Sequence, residues 1–218
     1  MTVKLAVFDC DGTLVDGQGA VVAAMASAFA EAGLVQPDPN HVRRMVGLSL
    51  PQAVARLAPQ ADEQQVREAV AAYKSAFRAA REAGTLAEPL FPGIADLLEA
   101  LSGAGWTLAV ATGKSDRGLA HCLAGHGIAG HFASLQTADR HPSKPHPAML
   151  EAALAETMAE PDDAVMIGDT AYDILMAREI GVRAVGVAWG YHEAPELLAA
   201  GAAYVARDAA DLVEYLLR

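Results

Sequence analysis

Cysteine is almost missing from this chain. Cys10 and Cys122 are the only two in 218 residues, too few and too widely spaced for a disulfide framework or a cysteine-based zinc cluster. That usage suits a reducing, cytoplasmic setting. Positive charge is also short: 16 Lys and Arg stand against 27 Asp and Glu, a formal charge of −11. Nucleic acid and anionic membrane surfaces are bound by basic faces, so neither is expected as a partner. An anionic small molecule stays open if one pocket is locally positive. No run reaches the ~20 apolar residues of a membrane-spanning helix, and Met1-Thr2-Val3-Lys4 lacks the pattern of a targeting segment. Hydrophobic residues still make up 53% of the chain, enough for a sizeable core.

The first apolar stretch, Leu5 to Phe8, ends in Asp9-Cys10-Asp11-Gly12-Thr13-Leu14-Val15-Asp16. In a parallel sheet buried strands read as continuous apolar runs, and ligands bind beyond their carboxyl ends. Asp9 and Asp11 are two apart, so on extended backbone their side chains leave on the same side. Two carboxylates aimed at one point repel unless a positive group lies between them, usually a metal. Taken alone, the stretch is equally compatible with a solvated Asp-Gly turn. Cys10, between them, is expected to face away as a small core filler.

Residues 17–86 read as entirely helical. Val22, Met25, Ala26 and Phe29 recur at helical spacing before Gly33, a residue suited to a left-handed stop. A short helix to about Val46 and another from Pro51 to Leu57 follow. Residues 62–83 form the clearest helix, with Asp62 and Gln65 placed as a capping box and Val66, Val70, Tyr73 and Phe77 in one stripe. From Pro89 the texture alternates. Apolar strands at 107–111, 164–167 and 184–188, with weaker ones near 132–135 and 203–205, are separated by helices, including one expected over 145–158. Such alternation implies an α/β fold, a Rossmann-like doubly wound parallel sheet with helices on both faces. The first strand belongs to it, so the helical block is an insertion: residues 1–16 and 87–218 form the core and 17–86 an inserted helical domain.

Polar signatures recur where such a sheet places a ligand: Asp9 with Asp11, Thr112-Gly113, Lys144, and Asp169 with Asp173. Singly each has a plain alternative. Asp169 could be a helix N-cap, Thr112-Gly113 a strand-to-helix turn, and Lys144 an exposed loop lysine. Together the three aspartates 9, 11 and 169 make an oxygen-rich site suited to Mg2+. Thr112 and the amides at a helix start can hold a phosphate, with Lys144 supplying charge. The sum is a phosphoryl-transfer site.

In order and context, Asp9-x-Asp11-Gly12-Thr13, Thr112-Gly113-Lys114, Ser143-Lys144-Pro145 and Gly168-Asp169-Thr170-x-x-Asp173 resemble the four motifs of the haloacid dehalogenase superfamily. The insertion falls where its helical-cap subgroup carries a lid. The resemblance implies that Asp9 attacks phosphorus and that Asp11 moves the proton. Magnesium would sit on the Asp9 and Asp169 carboxylates and the Asp11 backbone carbonyl. Thr112, Gly113 and Lys144 would hold the phosphoryl group, and Asp173 would orient Lys144 or a water at the metal. Family dehalogenases lack the second aspartate, so Asp11 favours phosphate chemistry.

The helical-cap sugar phosphomutases carry a proton-shuttling His about five residues past the first motif, where this chain has Val21. Water is therefore the expected acceptor, and the similarity is to phosphoglycolate phosphatases acting on a small phosphorylated metabolite. A mutase, a pyrophosphatase or a catalytically silent binding member are the alternatives. Those phosphatases usually have Ser where this chain has Gly17, and often Asn where it has Gly113. Arg43, Arg44 or Lys114 is expected to select the substrate, and Gly47-Leu48-Ser49 to point into the site. A monomer or homodimer is expected.

Overall fold

In the computed structural model, which describes residues 3–218, β1 (Leu5–Phe8) has no exposed side chain. A strand so placed must be covered on both faces, and β1 is central in a six-stranded sheet. The other strands are β2 (Thr107–Thr112), β3 (Phe132–Thr137), β4 (Ala164–Gly168), β5 (Arg183–Val187) and β6 (Tyr204–Ala206). Their order is β3-β2-β1-β4-β5-β6, every pair parallel. The chain winds outward from β1 to β3, then returns to β4 on the other side of β1. That reversal opens a crevice at the carboxyl ends of β1 and β4.

Register decides what meets in the crevice. Phe8 pairs with Val110 on β2 and with Ile167 on β4. Asp9 therefore leaves the sheet almost level with Thr112 and Asp169. Below this edge β1 alternates, as a two-residue period requires. Ala6 and Phe8 enter one core layer with α5 (Ile94–Gly103), α6 (Asp116–Gly125) and α10 (Ala209–Leu217), whereas Leu5 and Val7 enter the other with α7 (Ala148–Thr157) and α8 (Ala171–Glu179). Cys10 packs in the first layer, its sulfur 4.0 Å from that of Cys122. A short helix, α9 (Ala194–Ala200), completes the second layer.

Residues between β1 and α5 form four helices, α1 (Gln18–Glu31), α2 (Pro39–Arg44), α3 (Leu50–Leu57) and α4 (Glu63–Glu82). They have their own apolar centre, built on Met25, Phe29, Val54 and Ala69, with the α4 stripe Val66, Val70, Tyr73 and Phe77 packed against it. Both cap signals take the expected form: Asp62 and Gln65 exchange the two bonds of a capping box, and Gly33 sits at φ +66° just past α1. One expectation needs correcting. The helix expected from residue 145 begins at Ala148, because Pro147 disfavours helical backbone at the residue before it, while Ser143 and Lys144 turn inward and are buried.

Phe29 is fully buried in the helical layer. Phe29→Ala should lower the unfolding free energy by about 3 kcal/mol, the usual cost of deleting a large buried side chain. Urea denaturation reads it, and a loss below about 1 kcal/mol would show that this layer is loosely packed.

Candidate active site

The Asp9 carboxyl is held on one side only. Its Oδ1 accepts from the Cys10 amide at 2.6 Å and lies 3.0 Å from Lys144 Nζ, whereas Oδ2 is buried and finds no partner among the described residues. Lys144 comes from the loop before α7 and is fully buried, which an ammonium tolerates only when paired. Its second partner is Asp173 Oδ1 at 2.6 Å. Asp173 is fixed in turn by α8, where its Oδ2 accepts from the Thr170 amide at 3.1 Å and hydroxyl at 2.7 Å. Asp169 follows β4 directly. Its Oδ1 accepts from the Thr13 hydroxyl and its Oδ2 from the Tyr191 amide, each at 2.9 Å.

Carboxylate oxygens of Asp9, Asp169 and Asp173 come within 4.8 Å of one another. Three buried acids thus face one buried lysine, an excess of negative charge in a low-dielectric pocket. The conflict shifts the pKa of Asp9, Asp169 and Lys144. Burial raises Asp9 to about 7, with Asp173 and Asp11 adding to the rise and Lys144 opposing it. Burial, then Asp9 and Asp173, pushes Asp169 well above the carboxylate range. Burial alone would lower Lys144, but Asp173 and Asp9 outweigh it and hold the ammonium charged.

A divalent cation fits this arrangement. Asp9 Oδ2 has no donor, each Asp169 oxygen has one, and a carboxylate oxygen can accept more than one contact. Asp173, already committed to Lys144 and Thr170, is the least available of the three. All the donors are hard oxygens, as magnesium prefers. The backbone also leaves this space open. A Cβ on Gly12, which has φ +86°, or on Gly190 would meet the Asp169 side chain at 2.2 or 2.1 Å.

A cavity of about 420 Å3 separates the sheet edge from the helices. Asp9, Asp11, Thr112 and Gly113 form part of its floor, and the loop 47–49 enters from above. The Ser49 amide donates to Ser143 Oγ at 2.7 Å, and the Leu48 carbonyl lies where a Cβ on residue 113 would be 2.5 Å away. Only glycine at 113 lets the helical layer sit this low. The same logic applies less severely at Gly17, where a Cβ would come 3.0 Å from Asp11 Oδ1.

The expected substrate-selecting cations are placed differently. Arg43 bonds to Gln18 Oε1 at 3.0 Å and Asn40 Oδ1 at 2.8 Å. Arg44 pairs with Glu196 of α9 at 2.7 Å, on the outside of the molecule. Neither lines the cavity, which corrects that expectation: both α2 side chains run along the surface instead of into the crevice. Lys114 does line it, but lies between Asp11 and Glu88. Among the described residues, Lys74, Arg78 and Arg81 on α4 and Arg117 on α6 also line the cavity, and none of the four forms an ion pair.

Sequence reasoning placed Thr13 and Ser143 inside motifs without giving them a role, and it missed Glu88 and Tyr191. Trp189-Gly190-Tyr191 follows β5 after one intervening residue, much as Asp169 follows β4, so the rule that led to the aspartates could have flagged it. Glu88 and the α4 cations carried no such signal.

Fold and site together define a doubly wound α/β enzyme with its acids at the switch point. The profile of the haloacid dehalogenase-like hydrolases matches residues 6–187, and the chain belongs to that family. It is 37% identical over 201 residues to the probable phosphatase IndB of Dickeya dadantii, covering 90% of this chain and 86% of that one. A phosphoglycolate phosphatase of Rhodospirillum rubrum is 32% identical over 222 residues, covering 98% and 90%. Among solved structures, a haloacid dehalogenase-like family hydrolase from Streptococcus pneumoniae superposes with a TM-score of 0.83 at 30% identity, covering 98% of both chains.

Gly113→Ala should push the 47–49 loop off the sheet edge and break the Ser49–Ser143 bond. Hydrogen exchange at the Ser49 amide should accelerate about tenfold or more, the effect of losing roughly 1.4 kcal/mol of protection. Unchanged exchange there would mean that the loop does not depend on this contact.

Proposed function

We propose that this hydrolase cleaves small phosphomonoesters, with Mg2+ and through an aspartyl-phosphate at Asp9. The observation that carries this reading is the divided Asp9 carboxyl, one oxygen anchored by Lys144 and an amide, the other bare. A carboxylate so held is oriented without being neutralised, as a nucleophile needs. The relatives named as phosphatases support the same direction.

Asp9 Oδ2 forms a bond to phosphorus while the bond from phosphorus to the leaving oxygen breaks. Asp11 gives its proton to that oxygen and then takes one from the water that cleaves the acyl phosphate. Thr112, the amides that follow it and Lys144 hold the phosphoryl oxygens, and Asp173 keeps Lys144 in place. The Asp9 and Asp169 carboxylates, with the Asp11 carbonyl, would hold the cation, which offsets charge on the transferring group. The helices 17–86 act as the cap that excludes water. Lys74, Arg78, Arg81 and Arg117 make the cavity locally positive in a chain of net charge −11, which suits a phosphorylated metabolite. Phosphoglycolate is the first to assay.

With p-nitrophenyl phosphate, turnover should require Mg2+ and fall to background in chelator. Asp9→Asn should abolish it while keeping the wild-type circular dichroism spectrum. Equal rates with and without chelator would contradict the metal-assisted reading, and near-normal activity of Asp9→Asn would contradict the nucleophile.

A further inference from the structure

The interior of the site contains an ion cluster in which Asp11 is joined by two residues, Lys114 and Glu88, to which the proposed chemistry gives no role. Lys114 Nζ lies 3.0 Å from Asp11 Oδ1 and 2.5 Å from Glu88 Oε1. The three side chains are almost closed to solvent, at 10%, 12% and 8% exposure. Long side chains give up rotamer freedom to be held this way, and buried charges persist only when paired. Glu88 is anchored from behind. Its carbonyl is bonded to His126 Nε2 at 2.7 Å, and the next residue's carbonyl, that of Pro89, accepts from the Asp16 amide at 2.8 Å. Glu88 thus stands on the second of the two strands of chain that lead into and out of the helical insertion.

Among the described residues the Asp11 carboxyl has one ion-pair partner, the Lys114 ammonium 3.0 Å from its Oδ1. A lysine placed for substrate would point its ammonium at open cavity, whereas this one is turned back onto two carboxylates. Resting on the phosphatase reading, we infer that Lys114 and Glu88 are positioning residues for Asp11. Glu88 fixes the lysine, and the lysine fixes the carboxyl that must deliver a proton to the departing oxygen. Proton delivery matters most when the leaving group is a poor one, so this role has a signature that substrate binding lacks.

The test compares kcat/KM for p-nitrophenyl phosphate and phenyl phosphate, similar in size but differing in leaving-group quality, in Glu88→Gln, Lys114→Met and Lys114→Arg. Asp11→Asn sets the full penalty. General acid catalysis is worth about 10²–10⁴-fold, so Glu88→Gln and Lys114→Met should lose about tenfold or more on phenyl phosphate relative to the p-nitrophenyl ester. Lys114→Arg, which keeps a cation between the acids, should recover part of that ratio. Thermal melts establish that each variant is folded, and the near-isosteric Glu88→Gln decides the matter if the lysine variants are not. Equal losses on both esters, or a raised KM alone, in folded variants of an active enzyme would overturn the positioning role. A wild-type protein inactive on both esters would instead overturn the phosphatase reading, and this inference with it.

Discussion

The site depends on one electrostatic constraint: three carboxylates, at the ends of β1 and β4 and in the first turn of α8, are buried against a single fully buried lysine. Desolvated like charges are costly, and a protein can relieve them by protonation or by a cation. Protonation is what the raised Asp9 and Asp169 values describe when no cation is present. In the proposed mechanism that state would cost Asp9 the charge it needs as nucleophile, so a divalent ion and a reactive Asp9 would go together. Lys144 and Asp173 then have a clear division of labour. The lysine orients one Asp9 oxygen, and Asp173, tied to Thr170, prevents the lysine from straying.

The sheet makes this constraint possible by register alone. With Phe8 opposite Val110 and Ile167, residues from three strands arrive at one level without any long excursion of the chain. The helical layer then closes over them through close backbone approaches instead of large side chains. The Leu48 carbonyl above Gly113 and the Ser49 amide on Ser143 are contacts that a single added methyl group would disturb. The exposed Arg44–Glu196 pair joins the same two layers, but at about 45% and 37% side-chain exposure it adds at most about 1 kcal/mol.

Much of this was legible in the sequence because the relevant signals are local. Apolar runs ending in Asp9, Thr112 and Asp169 mark strand ends, and the α4 stripe with its Asp62–Gln65 box marks a helix whichever fold surrounds it. Lys144 has no such local mark, and only the ordered motifs tied it to the others. The direction of a long side chain was beyond reach. Arg43 and Arg44 lie on the right helix yet run along the surface, whereas Arg78 and Arg81, several turns into α4, border the cavity. Glu88 was invisible for a related reason, since its partner Lys114 lies 26 positions further on and only the folded chain brings them together.

The most direct test of the central claim is the melting temperature of the wild-type protein across a series of Mg2+ concentrations. A ligand bound only by the folded state adds about 2.7 kcal/mol at a hundredfold excess over its dissociation constant. For a chain of this size that corresponds to a rise of roughly 5–10 °C. The account predicts a melting temperature that climbs steadily with the logarithm of Mg2+ concentration. A melting temperature that stays flat through the series would mean that the buried acids hold protons, not a cation, and would contradict it.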